Sequence, residues 1–526
     1  MSATKYNLLE HKIFDTEVSN GDCQTLSLPE VYAALSNGSA EGFPALRAHQ
    51  QMFWHMFLVQ LAAIAMHRNN TTDIPTNSER WKSMLRSLTV SHALDQPWCL
   101  VVGDWSEPAF LQPPVPESIA LKKVLVAPDD LDILITSRNH DVKQSICRNN
   151  TAQDWSFALI SLQTGEGYGG AGNQGIARMN GGSSSRSLFS LAPLKEHRRQ
   201  NALHLSHWFI RDLSVLMASR KETHSLDFAR DEGLALVWLS PWPETIQLQT
   251  KELDQWFIEV CRRVRIVNQG DRLIAKQGTS KSTRINAKHL NGSLGDPWQP
   301  VHITDNKSFT LGDEGEFHYR KLTELLLSGD WETPYLGRPA SSDDDRLTLV
   351  AMALARGNSK TGGYKSRLLP ISGKTIKSLG PRQKEVHEHA QSLIHIIQTF
   401  DKSLADALVL AAADGDGERK SKDHYKYTKK YRYGFDRFAD SIFFSYLWLC
   451  VDNLDNDLVI AKHTFGFTTA LWEKVQSIFA SALDEIPCSN FYRPRAEARA
   501  SSLFYSRIRK YFPELFTHEL AKETSK

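Results

Sequence analysis

Ala390-Gln391-Ser392-Leu393-Ile394-His395-Ile396-Ile397-Gln398-Thr399-Phe400 sets Leu393, Ile396, Ile397 and Phe400 at three- and four-residue spacing, the period of one apolar helix face. The same period recurs after Pro381 in four long stretches, near 382–413, 434–453, 467–484 and 494–523, with glycine nearly absent from their interiors. Four amphipathic helices with no other partner in sequence bury their apolar faces against one another. The expectation is a C-terminal four-helix bundle over 379–526.

Upstream the texture differs. Leu131 to Ile135, Phe157 to Leu162 and Leu234 to Leu239 are short apolar runs separated by Gly, Ser, Pro and Asp clusters. Residues 1–378 are therefore expected to form a large irregular mixed α/β domain, and the chain as a whole falls in the α+β class. Asn7-Leu8-Leu9 and His11-Lys12-Ile13-Phe14 suggest a short hairpin near the start. Leu26-Ser27-Leu28-Pro29-Glu30-Val31 reads as a strand end running into a helix with Pro29 in its first turn. Ala45 to Arg68 has helical length and spacing. Its most apolar part, Met52 to Met66, carries His55 and Gln60 and is too short and too polar to span a bilayer, which makes it a buried helix.

Apolar residues make up 41% of the 526 and charged residues 23%, an ordinary globular balance that excludes a largely disordered chain. Lys and Arg total 62 against 60 for Asp and Glu, so any nucleic-acid site must concentrate its positive charge locally. The six cysteines, Cys23, Cys99, Cys147, Cys261, Cys450 and Cys488, form no CxxC pair and fit reduced, buried thiols. Met1 to Glu10 is polar and lacks the apolar core of a signal peptide. These features predict a soluble cytoplasmic protein with no membrane partner.

Three segments invite a functional reading. Gly165 to Gly182 reads GEGYGGAGNQGIARMNGG, with eight glycines in 18 residues. Gly167, Gly169 and Gly172 satisfy GxGxxG formally. That motif must open directly into a helix, and Gly175, Asn180, Gly181 and Gly182 would make a poor one. What remains is a loop whose backbone can approach a ligand closely, flanked by Arg178 and Arg186 as candidate phosphate contacts. The bland reading is a long loop with no function.

Ala355 to Arg367 carries a Lys360-Thr361 pair, yet Ser359 and Leu354 stand where a P-loop needs glycine. Apolar flanks around a Gly- and Lys-rich tip predict a β-hairpin or tight loop, functional or merely solvated. Arg419 to Tyr433 holds seven basic residues, among them Lys426, Lys429, Lys430 and Arg432, interleaved with Tyr425, Tyr427, Tyr431 and Tyr433. Cations beside rings suit phosphates and stacked bases, and the segment is expected as an exposed connection between the first two bundle helices. A charged, solvated linker is the plain alternative.

No catalytic constellation stands out. Val386-His387-Glu388-His389 lacks the second ligand of HExxH, since Gln391 occupies its place. Asp343-Asp344-Asp345 is expected to cap a helix beginning near Arg346. No catalytic residue, cofactor or metal is assigned.

Tyr6-Asn7-Leu8-Leu9 followed by Leu26 to Val31, Phe110-Leu111-Gln112 after Pro108, the glycine loop, the Arg356 to Pro370 segment and the four-helix end occur in an order that resembles the CasA family, the large subunit of type I-E CRISPR Cascade. The resemblance covers nearly the whole chain, and order rather than any one motif carries it. It implies a non-catalytic subunit near the 5′ handle of the CRISPR RNA. Such a subunit reads a protospacer-adjacent motif in duplex DNA, inserts a wedge to start R-loop formation and docks the effector helicase–nuclease. By resemblance, Gly169, Gly170, Ala171 and Gly172 would lie against the motif and Lys307 would contact the same duplex. Asn358, Ser359, Lys360 and Thr361 would form the wedge, and the loop between Thr136 and Lys143 would meet the RNA handle and the backbone subunits. The implied partners are the CRISPR RNA, double-stranded target DNA, the backbone, small and 5′-handle-binding Cascade subunits, and the helicase–nuclease. Two departures stand out: the paired CxxC zinc ligands of some members are missing, Cys147 standing alone, and Lys360 occupies a tip where the family can carry glutamine. Minor-groove reading by a backbone loop suits a short, tolerant motif, with specificity left to RNA–DNA pairing.

Two rival functions use the same residues differently. A free-standing single-stranded nucleic-acid-binding protein would work through Arg419 to Tyr433. A nucleotide-using enzyme would work through the glycine loop.

Overall fold

The computed structural model describes residues 4–132, 150–179, 181–182, 184–197, 200–220, 226–229, 232–244, 246–341, 343, 346–357 and 360–516. They fall into two compact units: Met1–Phe317 with Gly329–Pro370, and His318–Ser328 with Ile371–Lys526. The division thus lies at Pro370, somewhat before the expected 378. The second unit also takes His318–Ser328, a segment well upstream in sequence.

The first unit is built around the helix Gln51–Arg68, in which Met52 through Met66 are all buried. It packs against the helices Ala152–Gly165 and Leu205–Ser219 and the strand Leu253–Ile258. Because it is surrounded, it needs no polar face. Its Gln60 amide is satisfied by the Trp256 and Phe257 carbonyls. Trp54 anchors an aromatic cluster with Phe14 and Phe157, each ring centroid 5.1 Å from its own, arrangements worth about 0.5–1.5 kcal/mol beyond area burial.

Local signals start the surrounding helices where expected. Leu28–Ser36 begins with Pro29 in its first turn, and the Glu30 carboxylate accepts from the Ser27 amide at 2.7 Å. Ala152–Gly165 begins at Thr151, whose hydroxyl donates to Asp154 at 2.6 Å. The apolar run 157–162 is thus part of a buried helix. The expected N-terminal hairpin is different in detail: Thr4–Asn7 pairs antiparallel with the distant Cys99–Val102, while Phe14–Val18 pairs with Cys23–Leu26. A four-stranded sheet runs in the order Lys360–Ser372, Arg346–Gly357, Leu188–His197, Gln200–Leu203. Arg346 therefore opens a strand, and the helix expected there does not exist. Asp343 instead accepts from Arg211 Nε at 2.8 Å and the Ala340 amide at 2.7 Å.

The second unit contains Gln383–Ala412, Lys422–Val451, Asp457–Glu485 and Arg493–Tyr511, accompanied by Tyr319–Leu327 and Gly373–Ser378. Phe400 stacks on Phe512 at 4.6 Å and Phe479 on Phe504 at 4.2 Å. The second and third long helices start about three turns earlier than the apolar period indicated: the second is extended by the polar turns from Lys422, the third by a first turn, Leu458-Val459-Ile460, from which only Ile460 is buried. Consequently Arg419 to Tyr433 is mostly helix, not connection. Among the described residues no helix is long and apolar enough to cross a membrane.

The thiols divide by burial. Cys99, Cys261 and Cys450 are buried as expected, whereas Cys23 is exposed and Cys488 half-buried; Cys147 lies outside the described residues. Burial pushes the Cys99 and Cys261 thiols up to about 12. Both stay neutral, and so unreactive, until pH approaches that value. Iodoacetamide at pH 8 is expected to alkylate native Cys23 first and Cys99 and Cys261 only after denaturation, as peptide mass mapping would show. Early labelling of Cys261 would contradict the packing.

Candidate nucleic-acid interface

The glycine-rich segment leaves the helix Ala152–Gly165 and returns to the strand Leu188–His197 with no helix among its described residues. Its two limbs are held by backbone pairing: the Gly167 amide donates to Ser184 O and the Tyr168 amide to Gly182 O, both at 3.0 Å. The tip is a tight turn closed by Gly169 N to Asn173 O and Asn173 N to Gly170 O, each 2.9 Å. Gly172 O accepts from the Ser280 amide at 3.0 Å, which fixes the turn to a neighbouring loop.

The glycines are there for different reasons. A Cβ on Gly167 would fall well inside contact distance of the Ser184 and Gly182 carbonyls, and one on Gly175 would lie 2.6 Å from Gly167 C. One on Gly172, at φ +79°, would lie 2.7 Å from Thr279 Cβ. Gly170, at φ +104°, and Gly181, at φ +82°, combine a positive φ with open space around the missing side chain, and of the two Gly170 stands in the tip turn. Gly170 is thus the point of the tip at which another molecule could approach the backbone.

The two arginines of this segment do not serve as phosphate contacts. Arg178 is 1% exposed and Arg186 2%. Arg186 makes a bidentate pair with Asp296, Nε to Oδ2 at 2.6 Å and Nη2 to Oδ1 at 3.0 Å, and its Nη1 donates to Gln60 Oε1 at 3.0 Å. Arg178 donates to Phe257 O at 3.0 Å and lies over the Phe257 ring. Burial pulls its guanidinium down to about 10, which still leaves it charged at neutral pH. Glu259, raised by burial, accepts from the Ala177 amide at 2.7 Å. Sequence composition marks arginine as a surface cation, and only the fold shows that these two are internal struts.

Lys307 lies on the short strand Lys307–Ser308, exposed, with its Nζ 2.9 Å from Asp305 Oδ2. Its neighbour Ser308 donates its amide to Asn291 O at 3.0 Å. Gly292, at φ +80°, is squeezed between Ser308 and the carbonyl of Arg178, so the strand bearing Lys307 abuts the return limb of the glycine loop.

The hairpin exists as expected: the strands Arg346–Gly357 and Lys360–Ser372 are sheet neighbours joined by two residues. Asn358 and Ser359 lie outside the described residues, as does the loop from Thr136 to Lys143; Lys360 and Thr361 open the returning strand. The hairpin base rests on the 311–316 segment. The Arg356 amide donates to Leu311 O at 3.2 Å, and Lys365 Nζ lies 2.9 Å from Glu316 Oε1. Gly357 and Gly362 both face Asp313: a Cβ on Gly362 would collide with its backbone carbonyl, and one on Gly357 would lie 3.0 Å from its side-chain Cγ, a tight contact. Loop, Lys307 strand and hairpin base thus converge within the first unit. Sequence reasoning missed the residues that join them: Glu166 lies inside the glycine-rich segment but was given no role there, and Ser184, Ser185 and Arg262 belong to no motif.

The basic segment belongs to the second unit, on the helix Lys422–Val451. Three of its four singled-out cations already face carboxylates: Lys426 with Asp423 at 2.6 Å, Lys430 with Glu485 at 2.6 Å and Arg432 with Asp401 at 2.6 Å. Lys429 is exposed with no acidic partner among the described residues. Tyr425, Tyr427 and Tyr433 are exposed, but Tyr431 turns inward. Among the described residues no cluster of three or more His, Cys, Asp and Glu side chains could hold a metal ion.

No family model matches the chain, and no curated protein matches its sequence. Solved structures do. The CRISPR-associated protein Cse1 from Acidimicrobium ferrooxidans superposes with a TM-score of 0.63 over 97% of this chain and 99% of its own, at 13% identity. The chain has the Cse1/CasA fold. CasA (Cse1) of Thermus thermophilus shares this fold at a TM-score of 0.60 over 97% of this chain and 100% of its own, with 14% identity. Cse1 of Thermobifida fusca follows at 0.62 over 97% and 99%, with 11% identity. The expected α+β class with a helical C-terminal region is the Cse1/CasA arrangement.

The glycines of this turn provide a stability test. Gly167→Ala is expected to cost about 3 kcal/mol or more, because two backbone carbonyls must move. Gly170→Ala is expected to cost only about 1 kcal/mol, from its positive φ. Urea midpoints of the two variants compare them directly, and equal losses would contradict this division of roles.

Proposed function

We propose that this chain is the large subunit of a type I-E Cascade surveillance complex, a cytoplasmic, non-catalytic subunit. In this reading it recognises a protospacer-adjacent motif in duplex DNA, helps start strand separation and offers a docking surface to a helicase–nuclease. The observation that carries the proposal is the full-length Cse1/CasA fold, with an open, positive-φ glycine at the tip of its glycine turn.

Gly169, Gly170, Ala171 and Gly172 are the proposed reader. A backbone turn without side chains can enter a minor groove, where few polar groups distinguish a short motif. Lys307 supplies a phosphate contact, exchanging its exposed Asp305 for a stronger acceptor. Asn358, Ser359, Lys360 and Thr361 at the hairpin tip are the proposed wedge. R-loop formation is nearly balanced in free energy, so a small protein contribution at the first base step decides whether it proceeds. Lys426, Lys429, Lys430 and Arg432 are proposed phosphate contacts, which must exchange their intramolecular carboxylates for DNA; Lys429 needs no such exchange. The proposed partners are CRISPR RNA, target duplex and the remaining Cascade subunits.

The test is reconstitution with the other subunits and a guide, followed by duplex binding with only the flanking bases varied. Gly170→Asp places a carboxylate in the open space and is expected to cut affinity for the preferred flank by about tenfold or more, abolishing flank discrimination. Lys360→Ala should leave discrimination intact and slow opening. Binding that ignores the flank in the parent complex would sink the motif-reading role. Lys429→Ala is expected to weaken binding equally for all flanks and to lower the salt slope by about one.

A further inference from the structure

The glycine turn and the hairpin are joined at both ends of the loop. At the entry, Glu166 divides its carboxylate between two arginines: Oε2 accepts from Arg262 Nη2 at 2.9 Å and Oε1 from Arg356 Nη1 at 3.2 Å. Arg262 Nη2 also reaches Gly167 O at 3.3 Å and lies 3.1 Å from where a Gly169 Cβ would stand. At the return, Ser184 Oγ donates to Leu311 O at 3.1 Å and lies 3.3 Å from Leu354 O, while Ser185 Oγ accepts from the Leu354 amide at 3.2 Å. Leu354 and Arg356 are two of the last three residues of the outgoing hairpin strand before Gly357.

These contacts are of unequal kind. The serine bonds are neutral and tie serine hydroxyls to backbone groups. The Glu166 bridge is a charge-assisted pair of bonds among three side chains that are each at least 88% buried, where such bonds are strong and an uncompensated charge is costly. Without the carboxylate, two guanidinium groups would share a secluded site with no anion between them. One of these belongs to the hairpin and the other props the turn.

We propose that Glu166 is the positioning residue that makes the glycine turn and the hairpin move as one body, so that engagement of the turn by duplex DNA is transmitted to the strand-opening tip. The inference rests on the motif-reading function proposed above. It adds a specific consequence: reading and opening are separable by one substitution that touches neither DNA-facing segment.

The experiment uses the reconstituted complex and a duplex carrying 2-aminopurine at the first target base pairs, so that binding and opening are read separately. Glu166→Gln keeps the shape and removes the charge. It is expected to retain flank-dependent binding while opening about tenfold more slowly at saturating protein, with Glu166→Asp recovering part of the rate. A purely structural strut would lower assembly and binding together and would not split the two. Opening at the parental rate overturns the proposal. Should Glu166→Gln fail to assemble, Arg356→Gln removes only the hairpin arm and is read by the same two outcomes.

A second readout is independent of DNA. In the isolated full chain, Glu166→Gln is expected to speed amide exchange by about tenfold at both Gly169 and Arg356. Unchanged exchange at either site overturns the coupling even where flank reading holds. Accelerated exchange at both, with a parent complex that ignores the flank, would sustain the coupling and reject the function.

Discussion

A long loop without regular structure can cross a protein core only if its polar groups find partners there. In this chain the decisive partner is Asp296, whose carboxylate takes both arms of Arg186 with almost no exposure to water. The pair is further tied to Gln60 on the central helix. Stripping water from two ions costs several kcal/mol each, and good bidentate geometry with extra hydrogen bonds is what makes such a pair tolerable. The arrangement leaves little freedom in how the loop returns to its sheet. Everything distal to it, including the turn at Gly170 and the strand that becomes the hairpin's neighbour, inherits that placement.

Arg265 solves a similar problem elsewhere. It is fully buried and donates to the Glu107, Asp104, Gln112 and Val102 carbonyls, at 2.9, 3.1, 3.4 and 3.4 Å. The Gln112 side chain beside it accepts from the Ile266 amide at 2.6 Å and donates to Leu100 O at 2.9 Å. Leu111, the residue before Gln112, adopts a φ of +54°, a strained choice held by its surroundings. The first unit therefore uses long polar side chains as internal ties where loops replace ladders.

The contrast between what could and could not be read from sequence follows from the range of the forces involved. Pro29 with Glu30, and Thr151 with Asp154, are local caps, and local chemistry survives in a single sequence. The period of Leu393 to Phe400 did the same for the bundle, and the apolar flanks around the Gly- and Lys-rich tip of Ala355 to Arg367 for the hairpin. Pairings across long separations, such as Thr4–Asn7 with Cys99–Val102, leave no local trace. The candidate site was legible as an unusual glycine density, but not in its supports. Arg178 and Arg186 have the type of surface cations, and their acids lie at Glu259 and Asp296. A fold shared at 13% identity is consistent with this: many different side chains can serve as ties, provided each loop is tied.

The helix Lys422–Val451 opens with Lys422, Lys426, Lys429 and Lys430 in its first turns. Amide groups at that end carry a partial positive charge, so Lys422 in the first turn opposes the helix dipole, and Lys426, Lys429 and Lys430 add like charges at three- and four-residue spacing. Asp423, together with Asp401 and Glu485 from neighbouring helices, offsets the conflict without removing it. A polyanion aligned with these turns would relieve the same conflict, and dissolved salt would relieve it weakly. The start of this helix should accordingly be the part of the bundle whose order depends most on the ionic medium, fraying in dilute buffer and firming as anions accumulate.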